Sequence, residues 1–152
     1  MEIVDGTAYV DEIKALIIEY AQALGRDLCF QAFDEELSNL GKKYTGQSGC
    51  LLALLVDGKV RGCVAFRRLS ATSCEMKRLY VQPDVRGMKA GEKLVERIIQ
   101  RAQEAGYTEM LLDTIRPLQA AIHLYKKFGF EECGAYYDNP MDDVIYMRKQ
   151  LA

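Results

Sequence analysis

Pro83 divides the stretch that most constrains this chain. Residues 74–82 read as a strand, and a proline, with no N–H to give to a ladder, closes it. Gly87 and Gly91 follow, and they let the backbone turn sharply or be approached closely before a helix begins. Residues 75–91 are therefore strand, tight turn and helix start. Backbone amides at such a start lack internal partners and attract anions. Arg86 and Lys89 add full positive charges, so a phosphate or pyrophosphate is the natural guest. The loop is no Walker A, because Gly91 is followed by Glu92-Lys93-Leu94, and its glycine spacing is not G-x-G-x-x-G. A Gly-rich turn serving packing alone fits the spacing equally well.

The flanking patterns give the order of elements. Residues 2–4 form a short strand, and Val10, Ile13, Leu16, Ile17, Tyr20, Ala21 and Leu24 recur at helical spacing up to Gly25. Phe30, Phe33, Leu37 and Leu40 mark a second, shorter helix ending at Gly41. Residues 50–56 and 59–67 flank Asp57-Gly58, a dipeptide suited to the positive φ angles of a two-residue hairpin. A polar turn at 70–73 makes residues 74–82 the third strand of a meander. Its alternation is imperfect: Arg78 and Tyr80 share a nominal face with Met76, whereas Leu79 and Val81 share the other with Glu75 and Lys77. Either both faces are covered or a bulge shifts the register. Ala90, Leu94, Val95, Ile98, Ile99 and Ala102 mark a long helix ending near Gly106, and residues 109–114 a buried strand reached by a parallel crossover. Pro117 suits a first helical position, and the stripe Ala120, Ala121, Leu124, Tyr125, Phe128 closes at Gly129. Residues 130–133 and 144–148 read as two closing strands. The expected order is β-α-α-β-β-β-α-β-α-β-β in a single domain spanning residues 1–152.

A chain of 152 residues, 49% hydrophobic, buries a sufficient core without disulfides or metal. Its formal net charge of −2, with basic residues dispersed, gives no reason to expect nucleic-acid or membrane partners. No apolar run approaches a membrane span and no signal-peptide pattern opens the chain, so the expectation is a cytoplasmic protein. Cys29, Cys50, Cys63, Cys74 and Cys133 contain no C-x-x-C pair and read as reduced core residues. The lone histidine, His123, falls on a polar helix face and receives no role, and no metal site is expected.

Two motifs carry a resemblance. Leu79-Tyr80-Val81-Gln82-Pro83 with Arg86-Gly87-Met88-Lys89-Ala90-Gly91, and Leu124-Tyr125-Lys126-Lys127-Phe128-Gly129-Phe130 after an intervening strand, resemble the GNAT superfamily of acyl-CoA-dependent N-acyltransferases. Asp27-Leu28-Cys29-Phe30-Gln31, Cys74-Glu75-Met76-Lys77-Arg78, Leu112-Asp113-Thr114 and Tyr137-Asp138-Asn139-Pro140 further resemble a bacterial subgroup of small members whose substrates are largely unassigned. Two positions depart from the pattern: Lys89 stands where a glycine is usual, and Leu118 where many members carry Asn. The resemblance implies a mixed α/β fold, with a mostly antiparallel twisted sheet flanked by helices. It also allows a homodimer.

The chemistry that the resemblance implies is transfer of acetyl from acetyl-CoA to a primary amine of a small molecule or peptide, by direct attack in a ternary complex. Pantetheine would pair with the backbone of Leu79 and Val81, beside Tyr80. The pyrophosphate would sit on the loop of Arg86, Gly87, Met88, Lys89, Ala90 and Gly91. An amine with a pKa of about 10.4 is neutral in roughly one molecule per thousand at pH 7, so a base is needed, and Glu75 is the best-placed carboxylate. A strand glutamate paired with Lys77 or another cation is the alternative. Tyr125 is the family-matched donor to the leaving thiolate, although its place on an apolar stripe also fits packing. Phe30, Gln31, Tyr136, Tyr137 and Asn139 are the candidates for acceptor binding. An acyl-CoA-binding sensor without turnover, or a nucleotide-binding regulatory module, would carry the same loop.

Overall fold

The computed structural model describes residues 1–25 and 49–151. Its strands are β1 (Glu2–Asp5), β2 (Gly49–Val56), β3 (Lys59–Arg68), β4 (Ser73–Val81), β5 (Glu109–Ile115), β6 (Glu131–Cys133) and β7 (Val144–Gln150). The helices within the described residues are α1 (Val10–Leu24), α2 (Ala90–Glu104) and α3 (Gln119–Lys127). The helix expected around Phe30 to Leu40 lies outside the described residues. So do Cys29, Phe30 and Gln31.

The seven strands form one sheet in the order β1-β2-β3-β4-β5-β7-β6. Every neighbouring pair is antiparallel except β4 and β5, which α2 joins by the expected parallel crossover. The hairpin between β2 and β3 turns on Asp57 and Gly58 with φ of 52° and 79°, both in the left-handed region that a mirror-image turn requires. Gly129, with φ of 93°, follows α3. The expected start of that helix at Pro117 is two residues early. Pro117 sits in the preceding turn, where its carbonyl accepts from Gln119 N at 2.9 Å.

One core lies on each face of the sheet. On one side α1 buries Ile13, Leu16 and Ile17 against Leu51, Ala53, Cys63 and Ala65. On the other, Leu94, Val95, Ile98 and Ala102 of α2 cover Leu52, Leu54, Val64 and Met76. These alternations follow the helical and strand periods of the apolar residues. Gly62 is fixed by close approach, since a Cβ there would lie 3.1 Å from the Tyr80 carbonyl oxygen and 3.3 Å from Leu94 Cδ1.

The irregular alternation of β4 resolves into a bulge, and both faces of the strand are covered as well. Cys63 faces Tyr80 while Ala65 faces Lys77, so β4 carries one extra residue between them. Arg78 takes it up with a φ of 59°. Beyond the bulge the parity flips: Leu79 and Val81 join Met76 on the α2 side, and Tyr80 packs on the α1 side. The faces read from simple alternation are therefore reversed after Arg78.

Candidate active site

The pairing of β4 with β5 stops early. It runs from Ser73 opposite Glu109 to Glu75 opposite Leu111, although β4 continues to Val81 and β5 to Ile115. Over those last residues β5 is held instead by β7, whose register extends to Ile115 opposite Val144. The two central strands thus diverge, and a cleft of about 780 Å³ opens between them. Tyr20, Ala23 and Leu24 of α1 border it on one face of the sheet, and Ala121, Leu124 and Tyr125 of α3 on the other. A space bounded by elements from both faces runs through the sheet, so two reactants can reach one point from opposite sides.

The N-terminus of α2 stands at this cleft. Residues Pro83–Met88 form a 3-10 helix, Lys89 caps α2 without a side-chain hydrogen bond, and Lys93 N reaches the Lys89 carbonyl at 3.1 Å. The amides of Ala90, Gly91 and Glu92 precede that first helical bond, and the helix dipole adds positive potential. Arg86, Gly87, Lys89 and Gly91 border the cleft. The sharp turn is made by Lys89, with φ of 59°, rather than by the glycines. A Cβ on Gly87 would meet nothing within 4 Å, and one on Gly91 only Leu124 Cδ2 at 3.5 Å. Packing among the described residues does not require these two glycines, which leaves bare backbone beside the cleft.

Other loop residues divide by orientation. Met88 is 44% exposed and Ala90 is fully buried in the core, so neither side chain borders the cleft. Arg86 donates through Nε to the Val81 carbonyl at 2.9 Å, and its guanidinium carbon lies 5.6 Å from the centre of the Tyr80 ring. Leu79, Tyr80 and Val81 line the β4 wall. The Tyr80 hydroxyl donates to Glu19, and burial with that contact pushes its pKa up to about 12.

Tyr125 is 7% exposed, its ring centre 5.9 Å from that of Phe130. Its hydroxyl makes no side-chain hydrogen bond among the described residues, and burial raises its pKa well above that of a free phenol. A buried hydroxyl normally has a partner. Here the residue belongs to the core and also lines the cleft.

Glu75 is 1% exposed and does not border the cleft. Its Oε1 accepts from Arg67 Nε at 2.7 Å and lies 4.0 Å from Lys77 Nζ, while Oε2 accepts from the Tyr136 hydroxyl. Lys77 itself borders the cleft. The loop before β7 thus reaches back to β4. It reaches β5 as well: the Tyr137 hydroxyl donates to Asp113 Oδ2, and Asn139 Nδ2 lies 3.3 Å from the same oxygen and 2.6 Å from the Tyr137 hydroxyl. Tyr146 donates to the Tyr137 carbonyl at 2.9 Å, and the rings of Tyr136, Tyr137 and Tyr146 pack together with centres 5.4 to 5.6 Å apart. Burial, reinforced by Glu75 and Asp113, raises the pKa of Tyr136 and Tyr137, so both remain neutral donors.

Asp113 was absent from the sequence-based candidates, yet it borders the cleft. A lone charge inside the apolar run Met110-Leu111-Leu112-Asp113-Thr114 was the available signal. Tyr20 was likewise hidden in an ordinary helical stripe. The exposed His123 stands at the cleft rim. Cys74, with its pKa pushed up to about 12 by burial, is held as a thiol. Among the described residues there is no group of three or more His, Cys, Asp and Glu suited to a metal, and no helix long and apolar enough to cross a membrane.

The model of the acetyltransferase (GNAT) family matches residues 11–130. An uncharacterized N-acetyltransferase of Schizosaccharomyces pombe is 44% identical over 145 residues, covering 94% of this chain and 89% of its own length. A GNAT-family acetyltransferase from Staphylococcus aureus superposes with a TM-score of 0.83 at 21% identity, over 99% of each chain. The PaiA N-acetyltransferase from Thermoplasma acidophilum, in complex with coenzyme A, gives a TM-score of 0.73 at 16% identity over 98% of each chain. At such identities the solved structures share the fold.

Proposed function

The chain belongs to the acetyltransferase (GNAT) family, and on that premise we propose that it transfers an acetyl group from acetyl-CoA to a primary amine of a small molecule or peptide, by direct attack in a ternary complex. The observation that carries this reading is the cleft between β4 and β5, open to both faces of the sheet, with an uncapped helix N-terminus at its side and the Tyr125 phenol within. A thioester-linked acyl carrier fits the donor set. The amides of Ala90, Gly91 and Glu92, with Arg86 and Lys89, suit a pyrophosphate, and the bare backbone at Gly87 and Gly91 admits its close approach. The β4 backbone at Leu79 and Val81 offers strand-like hydrogen bonds to the amides of a pantetheine arm, the Val81 carbonyl already accepting one from Arg86. Bound there, acetyl-CoA supplies an activated acyl carbon.

The chain's own residues then have three tasks. The first is removal of a proton from the incoming ammonium. Glu75, the last β4 residue paired with β5 and with its charge balanced by Arg67, is the carboxylate for this, the Tyr136 hydroxyl bonded to its Oε2 serving as the relay. The second is support of the leaving sulfur, for which the Tyr125 hydroxyl is the donor. Since a phenol of raised pKa does not readily surrender its proton, it acts by hydrogen bonding. The third is shaping the acceptor end, where Tyr136, Tyr137 and Asn139 hold the β6–β7 loop onto the sheet.

Calorimetric titration with acetyl-CoA tests the reading. Saturable binding to the wild-type protein is expected, and Arg86→Ala should weaken it about tenfold, the worth of one charge-assisted contact. Thiol release with a panel of amines then reports transfer. Absence of acetyl-CoA binding would overturn the assignment.

A further inference from the structure

The established family leaves the acceptor unassigned, and the strongest unexplained group on the cleft wall is the Asp113 carboxylate. Both of its donors, Tyr137 and Asn139, are neutral and both converge on Oδ2; Oδ1 accepts from no other residue among those described. No Lys, Arg or His nitrogen lies within salt-bridge distance of Asp113 among the described residues. Glu75, two rungs back across the β4–β5 pair, contrasts with it: Arg67 and Lys77 flank its Oε1 and it stands behind the wall. Asp113 lines the cleft together with Tyr20 of α1 and Tyr125 of α3, which stand on opposite faces of the sheet. Arg78, at the bulge of β4, lines it too.

Resting on the acetyl-transfer reading, we propose that Asp113 selects the acceptor: the chain takes amines that arrive as ammonium ions, which Oδ1 of Asp113 receives, with Tyr137 and Asn139 as positioning residues that fix the carboxylate plane. A half-buried carboxylate satisfied on one oxygen by neutral donors directs the other oxygen's lone pairs to a cationic partner. Tyr20, which lines the same cleft, and Tyr137, bonded to the carboxylate, suit the hydrocarbon that carries such a nitrogen, since a cation near aromatic faces gains further attraction. Neutral nucleophiles gain nothing from this arrangement. The acceptor class is thus a primary alkylamine, protonated in solution; its excess proton passes by way of the Tyr136 hydroxyl to Glu75, the freed lone pair adds to the acyl carbon, and as the C–S bond breaks the departing thiolate takes up the second proton that nitrogen loses.

The test compares acceptors of similar shape and different charge. Full-length protein with saturating acetyl-CoA at about pH 7.5 is assayed by thiol release with primary alkylamines, benzylamine among them, and with amines neutral at that pH, such as phenylhydrazine. Wild type is expected to show the higher kcat/KM for the alkylamines. Asp113→Asn, which preserves an acceptor for Tyr137, should raise KM for alkylamines by about tenfold to a hundredfold while changing that for phenylhydrazine by less than about twofold. Tyr137→Phe, which keeps the charge and loosens its orientation, should give a smaller rise with the same selectivity. Titration of Asp113→Asn with acetyl-CoA should match wild type, which shows that the folded cleft survives. An equal effect of Asp113→Asn on both classes, or none on either, overturns the proposal while leaving acetyl transfer in place. Thiol release from no amine in either class overturns both readings together.

Discussion

Replacing Tyr125 by phenylalanine separates catalysis from packing, because the two roles predict opposite signs. The ring is core: it is 7% exposed and packs edge-to-face on Phe130. Phenylalanine keeps that contact. The hydroxyl contributes no side-chain hydrogen bond within the described residues, so its removal costs no internal bond. Burying an unsatisfied hydroxyl costs about 1–3 kcal/mol, part of which the variant regains. The variant is therefore expected to be as stable as wild type or more stable by up to about 1 kcal/mol, which in a domain of this size is a rise in Tm of about 0–4 °C.

Turnover moves the other way. A hydrogen bond to a group developing negative charge is worth about 1.5–3 kcal/mol, and each 1.36 kcal/mol is a factor of about ten in rate. The kcat of Tyr125→Phe should fall by roughly 10- to 150-fold, read as thiol release at saturating acetyl-CoA, or in single turnovers if product release limits wild type. Since burial raises the pKa of this phenol, the loss should be the same across about pH 7 to 9. A variant with wild-type kcat and a Tm lowered by more than about 4 °C would refute the reasoning and return Tyr125 to the core as a structural tyrosine.

Three other outcomes follow from the geometry. Lys89 holds a φ of 59°, a conformation costing a side-chain-bearing residue about 1–2 kcal/mol, so Lys89→Gly should gain up to about 1 kcal/mol by urea denaturation after the entropy of the added glycine is deducted. The same variant should bind acetyl-CoA about three- to tenfold more weakly at low ionic strength and approach wild type as salt screens the lost charge. Glu75→Gln removes the carboxylate facing Arg67, whose side chain is 39% exposed and can turn to water; a loss of about 1–2 kcal/mol in thermal or urea unfolding is expected, together with a fall in kcat of about a hundredfold if Glu75 relays the proton. The raised pKa values of Tyr80, Tyr125, Tyr136 and Tyr137 mean that the folded state keeps protons the unfolded chain releases above about pH 10. Stability should be flat below that value and decline above it, the Tyr80 contribution running out near pH 12 while the three more strongly raised tyrosines carry the decline further, and the tyrosinate absorbance should then appear late and with the unfolding transition.

How much of this was legible depended on whether the cause was local. Asp57-Gly58 dictated a mirror-image turn and the structure has it; Gly25, Gly106 and Gly129, at the ends of the three described helices, all adopt positive φ. The crossover from β4 to β5 followed from a helix between two strands. The phosphate-loop reading rested on glycines, whereas the backbone turns at Lys89, because a left-handed lysine has no sequence signature. The bulge at Arg78 was visible only as broken alternation, without the residue that absorbs it. Asp113 could not be paired with Tyr137 or Asn139 from spacing, since they are brought to it by the fold of the β6–β7 connection over the sheet.

The bulge and the cleft are two parts of one device. A strand that ran regularly from Ser73 to Val81 could pair with β5 along its whole length, and the sheet would then be closed. Arg78 inserts an extra residue on the β3 side, which bends β4 and increases its local twist, while β7 holds β5 straight over its entire register. Pairing therefore ends at Glu75 and Leu111. What remains along residues 76–81 is an edge inside a sheet, whose backbone groups on that side have no strand to meet. Exposed edges are usually blunted; this one is enclosed between helices on both faces, where a chain with amides of its own can add to it but another sheet cannot. The same parity flip that breaks the ladder turns Leu79 and Val81 toward α2 and leaves Tyr80 with α1. An extra residue at one position thus both opens the gap and sets which side chains face each of its two entrances.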